Sequence, residues 1–153
     1  MVLNGASYDA VVARSSLALV LGSGLTRDLR VGGVRAPVIY GSSALALVQI
    51  PAEAPLGVVN FTSGAGKPFR VLVERSAPGV LEANGAEVFV TGIALSLPVI
   101  VEVDGEEREV LEAEQVGLGV YRLRFATAFA DARGKRVIVR QGGRSSQRNA
   151  DFN

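Results

Sequence analysis

The sequence predicts an all-β chain built as two tandem immunoglobulin-like β-sandwiches, and three observations predict it. Long helical periodicity is absent, whereas period-2 alternation recurs, most cleanly in Tyr121-Arg122-Leu123-Arg124-Phe125. Eighteen glycines without a collagen-like period accompany many Val and Leu, the composition of short strands joined by tight turns. The chain also repeats itself: Gly33 and Val38 fall 72 positions before Gly105 and Val110, and Ile50 falls 75 before Phe125. That period is too long for a solenoid unit and suits a small sandwich. The expected halves are 1–77 and 78–153, with one intertwined sandwich of the whole chain as the alternative.

Each element has its own signal. Val2 to Tyr8 reads as a short extended lead-in, and Ser16–Leu21 as a strand stopped by Gly22-Ser23-Gly24. Gly32-Gly33 turns a hairpin between Val31 and Val34, and Pro37 places Val38-Ile39-Tyr40 at a sheet edge. Ala44–Ile50 alternates and ends at Pro51, which cannot donate to a ladder. Val58–Phe61 and Phe69–Val73 flank a turn at Thr62–Gly66. Ser76-Ala77-Pro78-Gly79 is the strongest boundary signal.

In the second half, Glu87–Val90 is the first strand. Val99–Val103 and Arg108–Leu111 flank Asp104-Gly105, a pair suited to a primed turn. Arg136–Arg140, a turn at Gln141-Gly142-Gly143, and a final strand toward Phe152 close the chain. Ala126–Ala132 reads as a loop.

Composition excludes much chemistry. With no His and no Cys, Ser-His-Asp and Cys-His catalysis, thiolate chemistry, Cys/His zinc sites and disulfides are all ruled out. Neither a resident metal nor a cofactor is expected. A net charge of +1 provides no global attraction for nucleic acid. The apolar run Leu17–Leu21 is too short to span a bilayer, so no membrane insertion is expected, and no leader peptide is visible.

Four groups of residues invite a functional reading. Gly22-Ser23-Gly24 and Gly64-Ala65-Gly66-Lys67-Pro68 resemble phosphate loops only superficially, because no hydroxyl follows Lys67 and no helix follows either run; both read as turns. Glu102, Asp104, Glu106, Glu107, Glu109, Glu112 and Glu114 form a dense acidic run, either a solvated hairpin tip or a calcium site. Arg122, Arg124, Arg136 and Arg140 alternate outward on two strands, with Arg144 and Arg148 beyond. They form either a basic face for polyanions or a neutral face paired with Glu107, Glu109 and Glu112. Tyr8, Tyr40 and Tyr121 are candidates for stacking on a sugar, although Tyr121 shares the apolar face of its strand with Leu123 and Phe125.

Several short segments, in order, resemble the Solibacter-type C-terminal domain of secreted acidobacterial proteins. Asn4, Ala6, Ser7 and Tyr8 stand for its Asn-Ala-Ala-Ser-Phe lead-in, and Gly22-Ser23-Gly24-Leu25 for its strand end. Val31–Tyr40 is similar to its Gly-Val-x-Ala-Pro-hydrophobic-Tyr segment, and Val48-Gln49-Ile50-Pro51 with Glu53-Ala54-Pro55 to its Gln-hydrophobic-Pro-x-Glu-Ala-Pro stretch. Ala77-Pro78-Gly79-Val80 resembles its link, and Gly117–Tyr121 with Gly142-Gly143-x-Ser145-Ser146 its closing portion. The chain departs from the family in lacking the long Gly/Asn-rich stretch after the link and in a more polar final strand.

The resemblance implies sandwiches of the IPT/TIG class and a place outside the cell or in the cell envelope, within a larger parent protein. It supplies no catalytic activity, cofactor or ligand. The expectation is a non-catalytic accessory or structural module that spaces or presents neighbouring domains or joins surface assemblies, with self-association through strand edges. A carbohydrate- or polyanion-binding module is the alternative.

Overall fold

The computed structural model describes residues 1–85, 87–108, 110–125 and 133–151, and every regular element among them is a strand. The first half carries β1 (Val2–Asn4), β2 (Val11–Ala13), β3 (Leu17–Leu21), β4 (Leu29–Val31), β5 (Val34–Arg35), β6 (Val38–Gly41), β7 (Leu45–Gln49), β8 (Gly57–Ser63) and β9 (Phe69–Glu74). The second carries β10 (Gly79–Asn84), β11 (Glu87–Thr91), β12 (Ile100–Val103), β13 (Glu106–Arg108), β14 (Val110–Gly117), β15 (Val120–Phe125), β16 (Val137–Gln141) and β17 (Arg144–Ser145).

These strands make four sheets, and no sheet mixes strands of the two halves. Sheet I has the order β1-β3-β7-β6, sheet II β2-β9-β8-β4-β5, sheet III β10-β11-β15-β14 and sheet IV β13-β12-β16-β17. All hydrogen-bonded neighbours among these strands are antiparallel except β2 and β9, which are parallel. Sheets I and II enclose one apolar cluster that includes Val20, Leu29, Val48, Ile50, Phe61 and Val73, all fully buried. Sheets III and IV enclose another around Val88, Val90, Val101, Leu123 and Val139. Alternation explains the division: in β15, Tyr121, Leu123 and Phe125 turn inward, while Arg122 and Arg124 turn out.

Apart from the additional β2, the halves share one strand order. Replacing β1, β3, β7 and β6 by β10, β11, β15 and β14 converts sheet I into sheet III, and β5-β4-β8-β9 likewise becomes β13-β12-β16-β17. Register follows. Leu17 faces Gln49 as Glu87 faces Arg124, and Val31 faces Val34 as Val103 faces Glu106. Both short hairpins use left-handed turn residues: Gly32 (φ 57°) and Gly33 (φ 84°) in one, Asp104 (φ 48°) and Gly105 (φ 86°) in the other. Two positive φ values define the primed turn that matches strand twist. Asp104 meets that need in the second hairpin, whereas at Gly32 a Cβ would lie 2.6 Å from the Pro55 ring, so the first requires Gly.

Three sequence expectations are corrected. The partner of β12 ends at Arg108, and Val110 onward forms β14 in the opposite sheet, paired with β15. The second half begins with β10 rather than at Glu87; Leu81-Glu82-Ala83-Asn84 has weak strand propensity, and its pairing with β11 carries a bulge at Leu81. Val11–Ala13, unassigned in the sequence, pairs in parallel with β9. The final strand is short, and beyond it only Asp151 bridges back to Arg136. Ala126–Ala132 and Phe152 lie outside the described residues.

The halves interlock where β1 and β3 meet the 76–79 link. Asn4, 1% exposed, donates from Nδ2 to the Ala77 carbonyl (2.8 Å), while its Oδ1 accepts from Ala6 N (2.9 Å) and Ser7 N (3.1 Å). The Leu17 amide donates to Thr91 Oγ1 (2.8 Å), and Ala77 N to the Gly92 carbonyl (2.8 Å). Ser76 Oγ contacts Gln141 Oε1 at 2.8 Å, and Arg144 bridges to Glu74 at 3.0 Å. Glycine makes this closeness feasible: a Cβ on Gly92 would overlap the Ala77 carbonyl, and one on Gly119 would lie 2.8 Å from Leu17 N.

Truncating a fully buried side chain in either cluster should cost several kcal/mol. Phe61→Ala is expected to lose about 3–5 kcal/mol and Leu123→Ala about 2–5 kcal/mol, read from denaturant midpoints at unchanged m-value. A loss below about 1 kcal/mol at either position would mean that the side chain is not in a packed core.

Candidate binding site

The four arginines singled out from the sequence divide between two sheets. Arg122 and Arg124 project from the outer face of sheet III. Arg124 lies between Glu87 (3.4 Å) and Glu112 (3.6 Å), and Arg122 between Glu87 (4.0 Å) and Glu114. Arg122 Nε is buried and has no acceptor among the described residues. Arg136 and Arg140 belong to sheet IV and its flank. Arg140 bridges both Glu102 and Glu107 at 3.1 Å, and Arg136 donates its backbone N–H to Asp104 Oδ1 (2.9 Å).

The acidic run is therefore laced with cations. Glu102 and Glu107 sit directly opposite one another on β12 and β13, a repulsive arrangement that Arg140 offsets. Glu106 pairs with Arg108 (2.7 Å). Among the described residues, no three His, Cys, Asp or Glu side chains are grouped so as to hold a metal ion. The cross-strand arrangement on both faces is that of alternating charge, each exposed pair contributing at most about 1 kcal/mol.

Two clefts draw on other residues. One of about 530 Å³ lies between the halves, lined by Arg14, Ser15, Arg75, Ser96 and Tyr121 among others. Its loop, Ala94 to Leu97, is held by the buried Gln141 amide, which accepts from Ala94 N (2.7 Å) and donates to the carbonyls of Ala94 (2.7 Å) and Leu97 (3.0 Å). Burial raises the Tyr121 phenol above its ordinary pKa, partly countered by a hydrogen bond with Ser15. The protonated phenol thus favours the native state, and this contribution is lost as pH rises past about 10.

Tyr40 belongs to a different place, the edge of sheet I. There the chain leaves sheet II after β5 and enters sheet I as β6, and a cleft of about 550 Å³ opens between Arg27, Arg35, Pro37, Ile39 and Tyr40. A bulge between Val38 and Tyr40 leaves Ile39 without a ladder partner, 44% exposed beside Tyr40 at 61%. Sequence reasoning singled out Tyr40 but missed Arg27 and Arg35. The missing signal was topological, since adjacency depends on where the chain changes sheets.

Both edges of sheet III are bulged too, at Leu81 in β10 and at Leu111 and Val116 in β14. An unpaired residue twists a ladder and hinders strand addition. Among the described residues, no helix is long and apolar enough to cross a membrane.

No protein-family model matches the chain, and no curated protein does. Among solved structures it is similar to a surface glycan-binding protein of Prevotella bryantii (15% identity, 94% of this chain and 39% of that one, TM-score 0.38). It is also similar to a surface glycan-binding protein of a Bacteroides ovatus mixed-linkage glucan utilization locus (15%, 92% and 40%, TM-score 0.44). A third is a domain of a biofilm-associated protein (12%, 90% and 27%, TM-score 0.41). The chain thus spans about two fifths of the first two. Likenesses at this level fix neither the fold nor the ligand of this chain.

Because arginine already occupies these carboxylates, added calcium should leave the melting midpoint unchanged. Arg140→Gln should lower stability by no more than about 1 kcal/mol, and the loss should shrink as salt is raised. A calcium-dependent rise in the midpoint would place a cation among Glu102, Glu107 and their neighbours.

Proposed function

We propose that the chain is a non-catalytic module of a secreted or cell-surface bacterial protein. In this reading it consists of two tandem immunoglobulin-like sandwiches, roughly 1–77 and 78–153, that space or present neighbouring domains of a larger parent. The supporting observation is the interlocked junction. Hydrogen bonds from Leu17 and Ala77 cross it, Asn4 holds the Ala77 carbonyl at its edge, and Gly79, Gly92 and Gly119 bring the halves too close for a side chain. A flexible linker would let neighbouring domains wander, whereas a junction that satisfies its polar groups internally sets their separation and angle.

The resemblance to the Solibacter-type C-terminal domain supports the extracellular or envelope location. Its lead-in and its link are the segments that Asn4 and Ala77 join. A second reading, a carbohydrate- or polyanion-binding module, draws on Tyr40: an exposed aromatic ring beside two guanidinium groups in an open cleft is suited to a sugar or an anion.

Backbone ¹⁵N relaxation tests the spacer reading. Amides of both halves should fit one axially symmetric diffusion tensor, with the long axis shared. Gly92→Ala, which overlaps the Ala77 carbonyl, should separate the halves into bodies of shorter and unequal correlation times. Independent tumbling of the unaltered chain would remove the basis for a spacing role.

A further inference from the structure

The clefts of the two halves form a natural comparison, because each lies where the chain passes from a short hairpin in one sheet to an edge strand of the other. The offset of 72 positions that relates Gly33 to Gly105 also carries Arg35 to Glu107, Val38 to Val110, Ile39 to Leu111 and Tyr40 to Glu112. Each pair of segments forms the passage from one sheet to the other, and each lines a cleft of similar size, about 550 Å³ in the first half and 510 Å³ in the second. Ile39 and Leu111 are the unpaired bulge residues of their edge strands. Arg30 faces Arg35 across the first hairpin as Glu102 faces Glu107 across the second.

Scaffold and shape are thus common to both, and the chemistry is inverted. In the second cleft each acidic side chain among the described residues has a cation beside it: Glu107 has Arg140 and Glu112 has Arg124. In the first, Arg30 is paired with Asp28 (3.0 Å), but neither Arg27 nor Arg35 has an acidic partner among the described residues. Residues 1–77 hold seven Lys and Arg against four Asp and Glu, an excess of three positive charges.

We infer that the cleft between β5 and β6 binds a carboxylate-bearing polysaccharide, with Arg27 and Arg35 holding the carboxylate and Tyr40 packing against the sugar ring. This deepens the carbohydrate reading above and rests on it. A guanidinium fork matches the two oxygens of a carboxylate. The Tyr40 ring, continued by Pro37 and Ile39, presents a wet-edged apolar surface of the kind that the C–H face of a pyranose covers. The cleft lies along an exposed strand edge and is open, as a site threaded by a long chain must be. A net charge of only +1 provides no long-range pull on nucleic acid, so local pairing has to supply recognition.

An oligogalacturonate and its methyl ester serve as probes in ¹H–¹⁵N shift titrations. The acid form should move amides of residues 35–41 and leave residues 107–113 in place, and the ester should bind at least about tenfold more weakly. Arg27→Gln with Arg35→Gln should weaken the acid form at least about tenfold, with the rest of the spectrum unchanged because both side chains are exposed. Equal affinity of acid and ester, lost in Tyr40→Ala, would overturn the carboxylate assignment while sustaining the carbohydrate reading. No shift with either probe would overturn both. A mass that rises with concentration by light scattering, and that the double variant abolishes, would assign the cleft to a second copy of this chain instead.

Discussion

Between its two cores the chain must turn a corner without abandoning its backbone polar groups, and one buried asparagine does most of this. The Asn4 side chain satisfies two amides of its own loop and the carbonyl of Ala77 at once, which ties the first strand of one half to the link that begins the other. Removing that amide would strand the buried Ala77 carbonyl, at a cost of about 1–3 kcal/mol, and leave the partly buried Ala6 and Ser7 amides to water. Around it Leu17 docks on Thr91 and Gly119, and Ser76 on Gln141. The two units are small, and small units bury a modest share of their surface. Shared burial at the junction therefore matters to the stability of each as well as to their relative placement.

The same duplicated plan gives the molecule room to differentiate. Once two equivalent edges exist, one can be closed electrostatically and the other left open at no cost to the fold. Sheet III and sheet IV spend their outward charges on each other. The passage at Arg35–Gly41 does not, and it exposes an aromatic ring as well. Bulges at Ile39, Leu81, Leu111 and Val116 serve both halves by spoiling the edges for ladder extension.

Much of this was legible in the residues. Alternation in Tyr121–Phe125 identifies a half-buried strand, and Asp104-Gly105 a primed turn, because both depend on neighbours in the chain. The equal spacing of Gly33 and Gly105 revealed the repeat. What was not legible depends on partners far away. β10 is a strand because β11 pairs with it, not because Leu81-Glu82-Ala83-Asn84 prefers to be one. The change of sheet between β13 and β14 has no local marker, so the arginines were assembled into one face that the structure divides between two. Arg27 carries no local signal for the same reason: it lies eight positions before Arg35, and only the corner brings both to one cleft.

Native-state hydrogen exchange tests the central claim, that the junction makes the halves one cooperative body. Amides of Val20 and Val48 in the first core and of Val90 and Leu123 in the second should exchange through openings of equal free energy, within about 0.5 kcal/mol, under conditions where exchange reports the opening equilibrium. A gap of about 2 kcal/mol or more between the two sets, in a chain with an intact junction, would show that each half opens by itself and would contradict the account.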